Sequence, residues 1–400
     1  MWRTDYKKAA FVVFLLLLTD GIILLMLFKY RADCTALQNI AEKGTDVTET
    51  ISEPIARLTD IAEVKQQEPE IQESVSLLLS SIHKDIKVMV VDGEGKRKTG
   101  TAFEAMLTDA SGNETLYEDA DKDGMISISP LKSGKYTVTL LSQQDQGIEE
   151  VKASVTVKDA ISYHAIPILA EIKPESEIDV SNEDTSDIEE VDEGITSAIG
   201  KVGDFGIDVS KWNREIDWTR VKEAGVSYAV IRLGYRGSAS GALVEDPCFT
   251  ANLYGAKENG IQTGVYFFTQ ALTEAEAVEE ASMVVQLLKG EKLEYPVFLD
   301  VEGSGKRADV LDRDTRTANI LAFLKTIENA GYDAGVYANK NWLTNKINAE
   351  ALSGYTIWLA QYNVTEPDYN GNYHMWQYSS RGSIDGIEGN VDVNQSFLKK

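Results

Sequence analysis

The hydrophobic pattern changes period four times along the 400 residues. From Ala9 to Phe28 it is continuously apolar except for Thr19, Asp20 and Gly21. Twenty residues rise about 30 Å as a helix, which predicts a membrane span. No A-x-A-like cleavage site follows, so the segment does not read as a cleaved signal peptide. Val47, Ile51, Ile55, Leu58 and Ile61, then Ile71, Val75, Leu78 and Ile82, recur at three- and four-residue steps. That spacing predicts a helical stalk over 31–83, interrupted by Pro54 and Pro69 and suited to self-association. Over 84–171 the period falls to two. IKVMVVD, TAFEAMLTD, GMISIS, GKYTVTLL and VKASVTVK read as strands of a β-sandwich between Gly, Asp and Asn turns. Residues 172–199 lose the pattern; Pro174 to Gly194 holds ten acidic residues and no Lys or Arg, the composition of a self-repelling disordered linker. From 200 to 400 strand-like and helix-like segments alternate, which predicts an α/β fold, a parallel barrel wrapped by helices. These changes set the boundaries at 1–30, 31–83, 84–171, 172–199 and 200–400.

Period-two reading of the barrel strands is informative about chemistry. In PVFLDVE, Val297, Leu299 and Val301 share the face expected to lie under helices, while Phe298, Asp300 and Glu302 point inward. FGIDVS places Phe205, Ile207 and Val209 outward and Asp208 inward. VDVN places Val391 and Val393 on one face, Asp392 and Asn394 on the other. Three strands thus direct carboxylates inward near the strand ends where barrel enzymes build their sites. One such acid is ordinarily a solvated strand end or an ion pair. Four converging acids repel each other unless chemistry requires them, and paired carboxylates are the equipment of glycoside hydrolysis.

GIDVSKWN, FLDVE, GVYAN, WLAQYN, WQYSS and GNVDVN, in this order, resemble glycoside hydrolase family 25, the Chalaropsis-type muramidases, over Phe205 to Phe397. The resemblance implies a modified β/α barrel that cleaves the β-1,4 bond between N-acetylmuramic acid and N-acetylglucosamine in peptidoglycan. By motif it assigns Asp208 to the acid after the first strand, Asp300 and Glu302 to the Asp-x-Glu pair, and Asp392 to the final Asp-x-Asn. Glu302 takes the role of general acid. The phrase DADKDGMISISPLKSGKYTVTLL resembles collagen-adhesin B-type repeats, which implies a prealbumin-like sandwich.

Aromatic side chains pack on the apolar faces of pyranose rings. Tyr235, Tyr266, Tyr337, Trp358, Tyr362 and Trp376 are the candidate platforms, with Gln361 and Gln377 as hydrogen-bonding partners. Asp300 and Glu302, alternate residues of one strand, have backbones about 6.6 Å apart. Acid and direct nucleophile flank the bond about 5–5.5 Å apart and inverting pairs need roughly 6.5–9.5 Å. Two side chains projecting in parallel fit neither arrangement well. They fit a retaining, substrate-assisted reaction in which the 2-acetamido oxygen attacks the anomeric carbon.

The net charge of −25 excludes nucleic acid as a partner. His83, His164 and His374 form no cluster, so neither metal nor cofactor is expected; DADKDG mimics the start of a calcium loop but lacks its later Glu. Cys34 and Cys248 fall in different segments and are expected to be free thiols. Arg3, Lys7 and Lys8 precede the apolar span, and Lys29 and Arg31 follow it. Peptidoglycan as substrate then places the N-terminus in the cytoplasm and the barrel outside. Other readings are a binding module without catalysis for the barrel, and a surface-display or assembly role for the whole chain through its stalk and sandwich, compatible with catalysis.

Overall fold

In the computed structural model, residues 75–143, 148–180 and 203–399 are described, within a compact unit spanning Pro69–Lys400. The expected membrane span (9–28), the stalk up to residue 74 and Cys34 lie outside them. No helix among the described residues is long and apolar enough to cross a membrane.

The first strands are β1 (Ser76–Ser80), β2 (Ile86–Val91), β3 (Glu104–Thr108), β4 (Glu114–Glu118), β5 (Met125–Ile128), β6 (Gly134–Leu140) and β7 (Val151–Val157). They form a three-stranded sheet, β1-β2-β5, and a four-stranded sheet, β4-β3-β6-β7. Alternate residues of both sheets share one core: Ile86 and Val88 from β2 and Ile126 and Ile128 from β5 meet Ala105, Leu107, Tyr136 and Val138. The sandwich therefore begins earlier than the pattern predicts. SLLLS is a strand, paired antiparallel with β2 at Leu77↔Val90 and Leu79↔Val88, and not the end of a helix. A run of three leucines satisfies both periods; the edge of β2 decides between them. In DADKDG the buried Asp119 accepts the backbone N–H groups of Asp123 (3.2 Å) and Gly124 (2.9 Å), which shapes the turn from β4 into β5.

Residues 172–180 are not the linker that their charge predicts. Ile172–Pro174 is β8, paired parallel with β11 (Leu243–Glu245), and Ile178 packs beside Tyr235. The approach to β8 is also docked. Ile166 and Ile168 belong to the barrel's outer core. The Ile166 N–H donates to Ser282 Oγ at 3.1 Å, and those of Ile168 and Leu169 donate to Gln286 Oε1 at 3.2 and 3.0 Å. Two apolar side chains and a bonded backbone offset the chain entropy that acidic composition alone leaves unopposed. Residues 181–199 of the expected linker lie outside the described residues.

The barrel strands are β9 (Asp204–Val209), β10 (Tyr228–Arg236), β12 (Gln262–Phe268), β13 (Val297–Asp300), β14 (Ala334–Asn339), β15 (Thr356–Ala360), β16 (Met375–Gly382) and β17 (Val391–Ser396). Pairing of β10 with both β9 and β12 closes the sheet into eight strands. The helices are α1 (Trp218–Glu223), α2 (Phe249–Glu258), α3 (Glu274–Leu288) and α4 (Arg313–Asn329). The Thr273 hydroxyl caps α3 and the Asp312 carboxylate caps α4.

The barrel departs from the expected all-parallel form at one strand. β17 runs antiparallel to both β16 and β9. The reason lies in chain length: parallel neighbours need a crossover of a dozen or more residues, and only Ser383–Asn390 joins β16 to β17. The reversal brings the start of β17, not its end, to the mouth formed by the C-terminal ends of the other strands. Alternation holds along β9, β13 and β17 and slips where the register shifts, after Arg232 in β10 and after Gln377 in β16. Ile207, Val209, Val297, Leu299, Val301, Val391 and Val393 lie in the outer core under the helices, whereas Phe298, Tyr337 and Trp358 fill the interior. Small residues make that interior possible: a Cβ on Gly206 would lie 2.4 Å from the Tyr228 ring, and one on Gly335 would lie 2.6 Å from Phe298.

Candidate active site

The mouth opens into a cavity of about 300 Å³ lined by Asp208, Asp300, Glu302 and Asp392. Each acid owes its place to a strand. Asp208 is the penultimate residue of β9, and its Cα partner across the antiparallel pair is Asp392 of β17. Asp300 ends β13, between Phe268 of β12 and Tyr337 of β14. Glu302 follows two residues later, after the Val301 N–H has donated to the Tyr337 carbonyl (2.9 Å) and extended the strand geometry by one step. Asp208 and Asp300 are buried; Glu302 and Asp392 are half-buried.

A hydrogen-bonded floor fixes the state of Asp208. The hydroxyls of Tyr337 and Tyr362 donate to Gln377 Oε1 at 2.8 and 2.6 Å, so the Gln377 amide nitrogen must face the other way. It donates to Asp208 Oδ2 at 2.9 Å. The Trp358 indole, a donor only, does the same to Asn394: it donates to Oδ1 at 2.8 Å, and Asn394 Nδ2 donates to Asp208 Oδ2 at 2.7 Å. Burial pushes both tyrosines well above their ordinary value, so the hydroxyls stay protonated and donating. For Asp208, burial is the largest influence and raises its pKa from 3.8 to about 6; the Asn394 and Gln377 amides and a hydrogen bond with Asp392 act in the opposite direction.

Arg232 also lines the cleft, with its Nε donating to the buried Asp246 at 2.7 Å. It sets one guanidinium against four carboxylates. Trp212 lines the same cavity and is 67 % exposed, the most open large aromatic side chain of the barrel.

Of the aromatic platform expected from sequence, Tyr266, Tyr337, Trp358 and Tyr362 line the cavity, as does Gln377. Tyr235, Gln361 and Trp376 do not. Tyr235 is fully buried, with its hydroxyl donating to Glu175 at 3.3 Å. Trp376 faces outward and donates its indole N–H to the Gln361 carbonyl (2.8 Å), and the Gln361 side chain turns to Asp368. The alternation that locates the acids excludes both. In WLAQYN, Trp358, Ala360 and Tyr362 share the inner face, which puts Gln361 on the other; in MWQY, Met375 and Gln377 leave Trp376 outside. Asn394 is legible by the same rule, since it shares the inward face of Asp392. Trp212 carries no periodic signal, because it sits on a short turn, Lys211–Asn213, whose cap is a reciprocal pair between Ser210 and Asn213. Among the described residues, the acids that come within 4.8 Å of one another as a potential metal cage are Asp119, Asp121 and Asp123, in the sandwich.

Residues 207–387 match the family described as Glycosyl hydrolases family 25. The uncharacterized protein YegX of Escherichia coli strain K12 is 30 % identical over 191 residues, 47 % of this chain and 68 % of that protein. The autolytic lysozyme of Clostridium acetobutylicum is 27 % identical over 191 residues, 48 % of this chain and 55 % of that one. Among solved structures, the modular autolysin LytC of Streptococcus pneumoniae is 31 % identical over 48 % of this chain, with a TM-score of 0.43. This chain spans 46 % of the length of LytC. The family match lies within the barrel and leaves the sandwich aside, and it is the barrel that carries the four acids. Through that half, the chain belongs to glycosyl hydrolase family 25.

Proposed function

We propose that the chain is a cell-wall muramidase that hydrolyses the β-1,4 bond between N-acetylmuramic acid and N-acetylglucosamine in peptidoglycan. The observation that carries this reading is the convergence of four carboxylates on one open cleft with an aromatic and amide floor. Glu302, half-buried and accessible to the leaving oxygen, is the general acid. Asp300 orients the 2-acetamido group of the muramyl residue and balances the charge that develops on its nitrogen. The acetamido oxygen attacks the anomeric carbon while Glu302 gives its proton to the departing sugar. Water then opens the cyclic intermediate, with Glu302 taking back a proton, and configuration is retained. Asp208, itself held by the Gln377 and Asn394 amides, and Asp392 position this pair and tune its protonation.

NMR of the first product from purified peptidoglycan tests both parts of the reading. An initial β-anomer with N-acetylmuramic acid at the reducing end is expected, and a glycan stripped of its N-acetyl groups should resist cleavage. An initial α-anomer, or a sugar trapped on Asp300, would remove the substrate-assisted scheme. N-acetylglucosamine at the reducing end would remove the muramidase assignment.

The same reading tethers the enzyme to a membrane through residues 9–28, with the N-terminus cytoplasmic, the collagen-adhesin-like sandwich as spacer and the stalk as a site of self-association. A tag on the C-terminus should be accessible to antibody on intact protoplasts. A tag reached only after permeabilisation would reverse the topology and place the enzyme away from its substrate.

A further inference from the structure

Trp212 stands at the cleft rim and is two-thirds exposed. What stands against it is the Lys211 ammonium, 4.7 Å from the ring centroid. A lysine side chain has four rotatable bonds, so it holds an aromatic ring in place only if its own head is held. Here it is. The Lys211 backbone N–H donates to Asp246 (3.1 Å), and its ammonium forms an ion pair with Glu175. Both partners are largely withdrawn from solvent, with side chains 11 % and 18 % exposed, so the pair is screened far less than a surface salt bridge.

Glu175 is itself anchored twice. It follows directly on β8, which is hydrogen-bonded to β11, and one of its carboxylate oxygens accepts the Tyr235 hydroxyl. Three residues on, Ile178 packs with Tyr235, Val244 and Phe268, and Phe268 lines the cleft. The segment carrying Glu175 lies outside residues 207–387, the part that matches the family. A strand borrowed from beyond the family's domain therefore reaches the wall of the substrate cleft.

We propose that Glu175 is a positioning residue for glycan binding: through Lys211 it fixes Trp212 as a stacking platform for a sugar at the rim of the cleft, beyond the scissile bond. The inference rests on the cleft binding a glycan strand. Removing the Glu175 charge leaves the β8 pairing intact but loosens the hold on the Lys211 head, so the ring's backing and the sugar's platform weaken. The chemical step, which belongs to the acids deeper in the cleft, is untouched.

The test uses the full chain and a peptide-free tetrasaccharide of alternating N-acetylglucosamine and N-acetylmuramic acid. Affinity is measured by calorimetry in the Glu302→Gln background, and KM and kcat are measured with Glu302 intact. Glu175→Gln should weaken binding about three- to tenfold, as loss of one weakly screened ion pair allows. KM should rise in step, with kcat unchanged. Glu175→Asp, which keeps the charge, should restore most of the affinity. In a Trp212→Ala chain, Glu175→Gln should have no further effect. An unchanged dissociation constant for Glu175→Gln overturns the inference, as does a fall in kcat at constant KM or an equal loss in the Trp212→Ala chain. A tetrasaccharide that binds but is never cleaved defeats the muramidase reading and leaves the binding comparison able to judge Glu175. Failure of the unsubstituted chain to bind at all overturns both.

Discussion

Glutamine at position 302 is expected to lower glycan cleavage by about 10²–10⁴-fold, the usual contribution of a positioned general acid. The substitution keeps the volume and planarity of the side chain and removes only its transferable proton. Glu302 lies just past the end of β13, half-buried, so its replacement leaves the interior of Phe298, Tyr337 and Trp358 unaltered. Thermal stability should therefore stay within a degree or two of the parent while turbidity clearing of purified cell walls collapses. Substrate binding should persist, since the cleft floor and rim are retained. Residual activity above about a tenth of the parent would show that the proton comes from another group, with Asp300 the next candidate by position.

Asparagine at position 208 is expected to separate stability from activity. In the folded chain the Asp208 pKa is raised from 3.8 to about 6. The sign follows from that direction. The folded state binds the proton more tightly than the unfolded chain, so the stability this group contributes is complete below pH 3.8 and is lost as pH rises through 6. Above pH 7 the ionised carboxylate is carried at a cost on the order of 3 kcal/mol, the worth of a shift of this size. Asparagine carries no such cost. Its oxygen can replace Oδ2 as acceptor for the Gln377 and Asn394 amides, and its NH₂ then faces Asp392. The Asp208→Asn chain should match the parent's melting temperature at pH 4 and exceed it by several degrees at pH 8. Turnover should fall about a hundredfold, the scale of one fixed electrostatic group in an active site. A melting-temperature difference that does not change between pH 4 and pH 8 would show that ionised Asp208 carries no such cost.

What the sequence makes legible follows from which physical rules are local. Strand alternation is local, so the inward placement of Asp208, Asp300, Glu302 and Asp392 reads directly from three short segments. The same rule puts Phe267 outside, and there it packs near Phe323. Direction is not local: VDVN reads identically whether β17 runs up or down, and the eight residues before it settle the matter by length. Ambiguity of period explains β1, where three consecutive leucines satisfy a helix and a strand alike. Tyr235 failed as a platform for a different reason. It is covered by Glu175 and Ile178, which come from a stretch whose acidity reads as solvated linker. Charge counting sees ten acids and no base between Pro174 and Gly194; it does not see Lys211 waiting for one of them. The rim tryptophan was missed because a single exposed aromatic on a turn has no periodicity to betray it.

The buried ion pairs that join the two β-rich halves have a mechanical meaning. Lys87 of β2 bonds Glu171 at 2.9 Å and Glu279 of α3 at 2.6 Å, and Glu279 in turn bonds Arg236 at the end of β10 (3.0 Å). With β8 zipped to β11 and Ile166 and Ile168 sunk in the outer core, the sandwich is fastened to the barrel by contacts that do not depend on residues 181–202. A peptide bond cut in that interval would sever the chain without parting its pieces. The amino-terminal fragment would keep its grip on α3 and on Lys211, and the enzyme would behave as a nicked two-piece protein rather than shed its catalytic half.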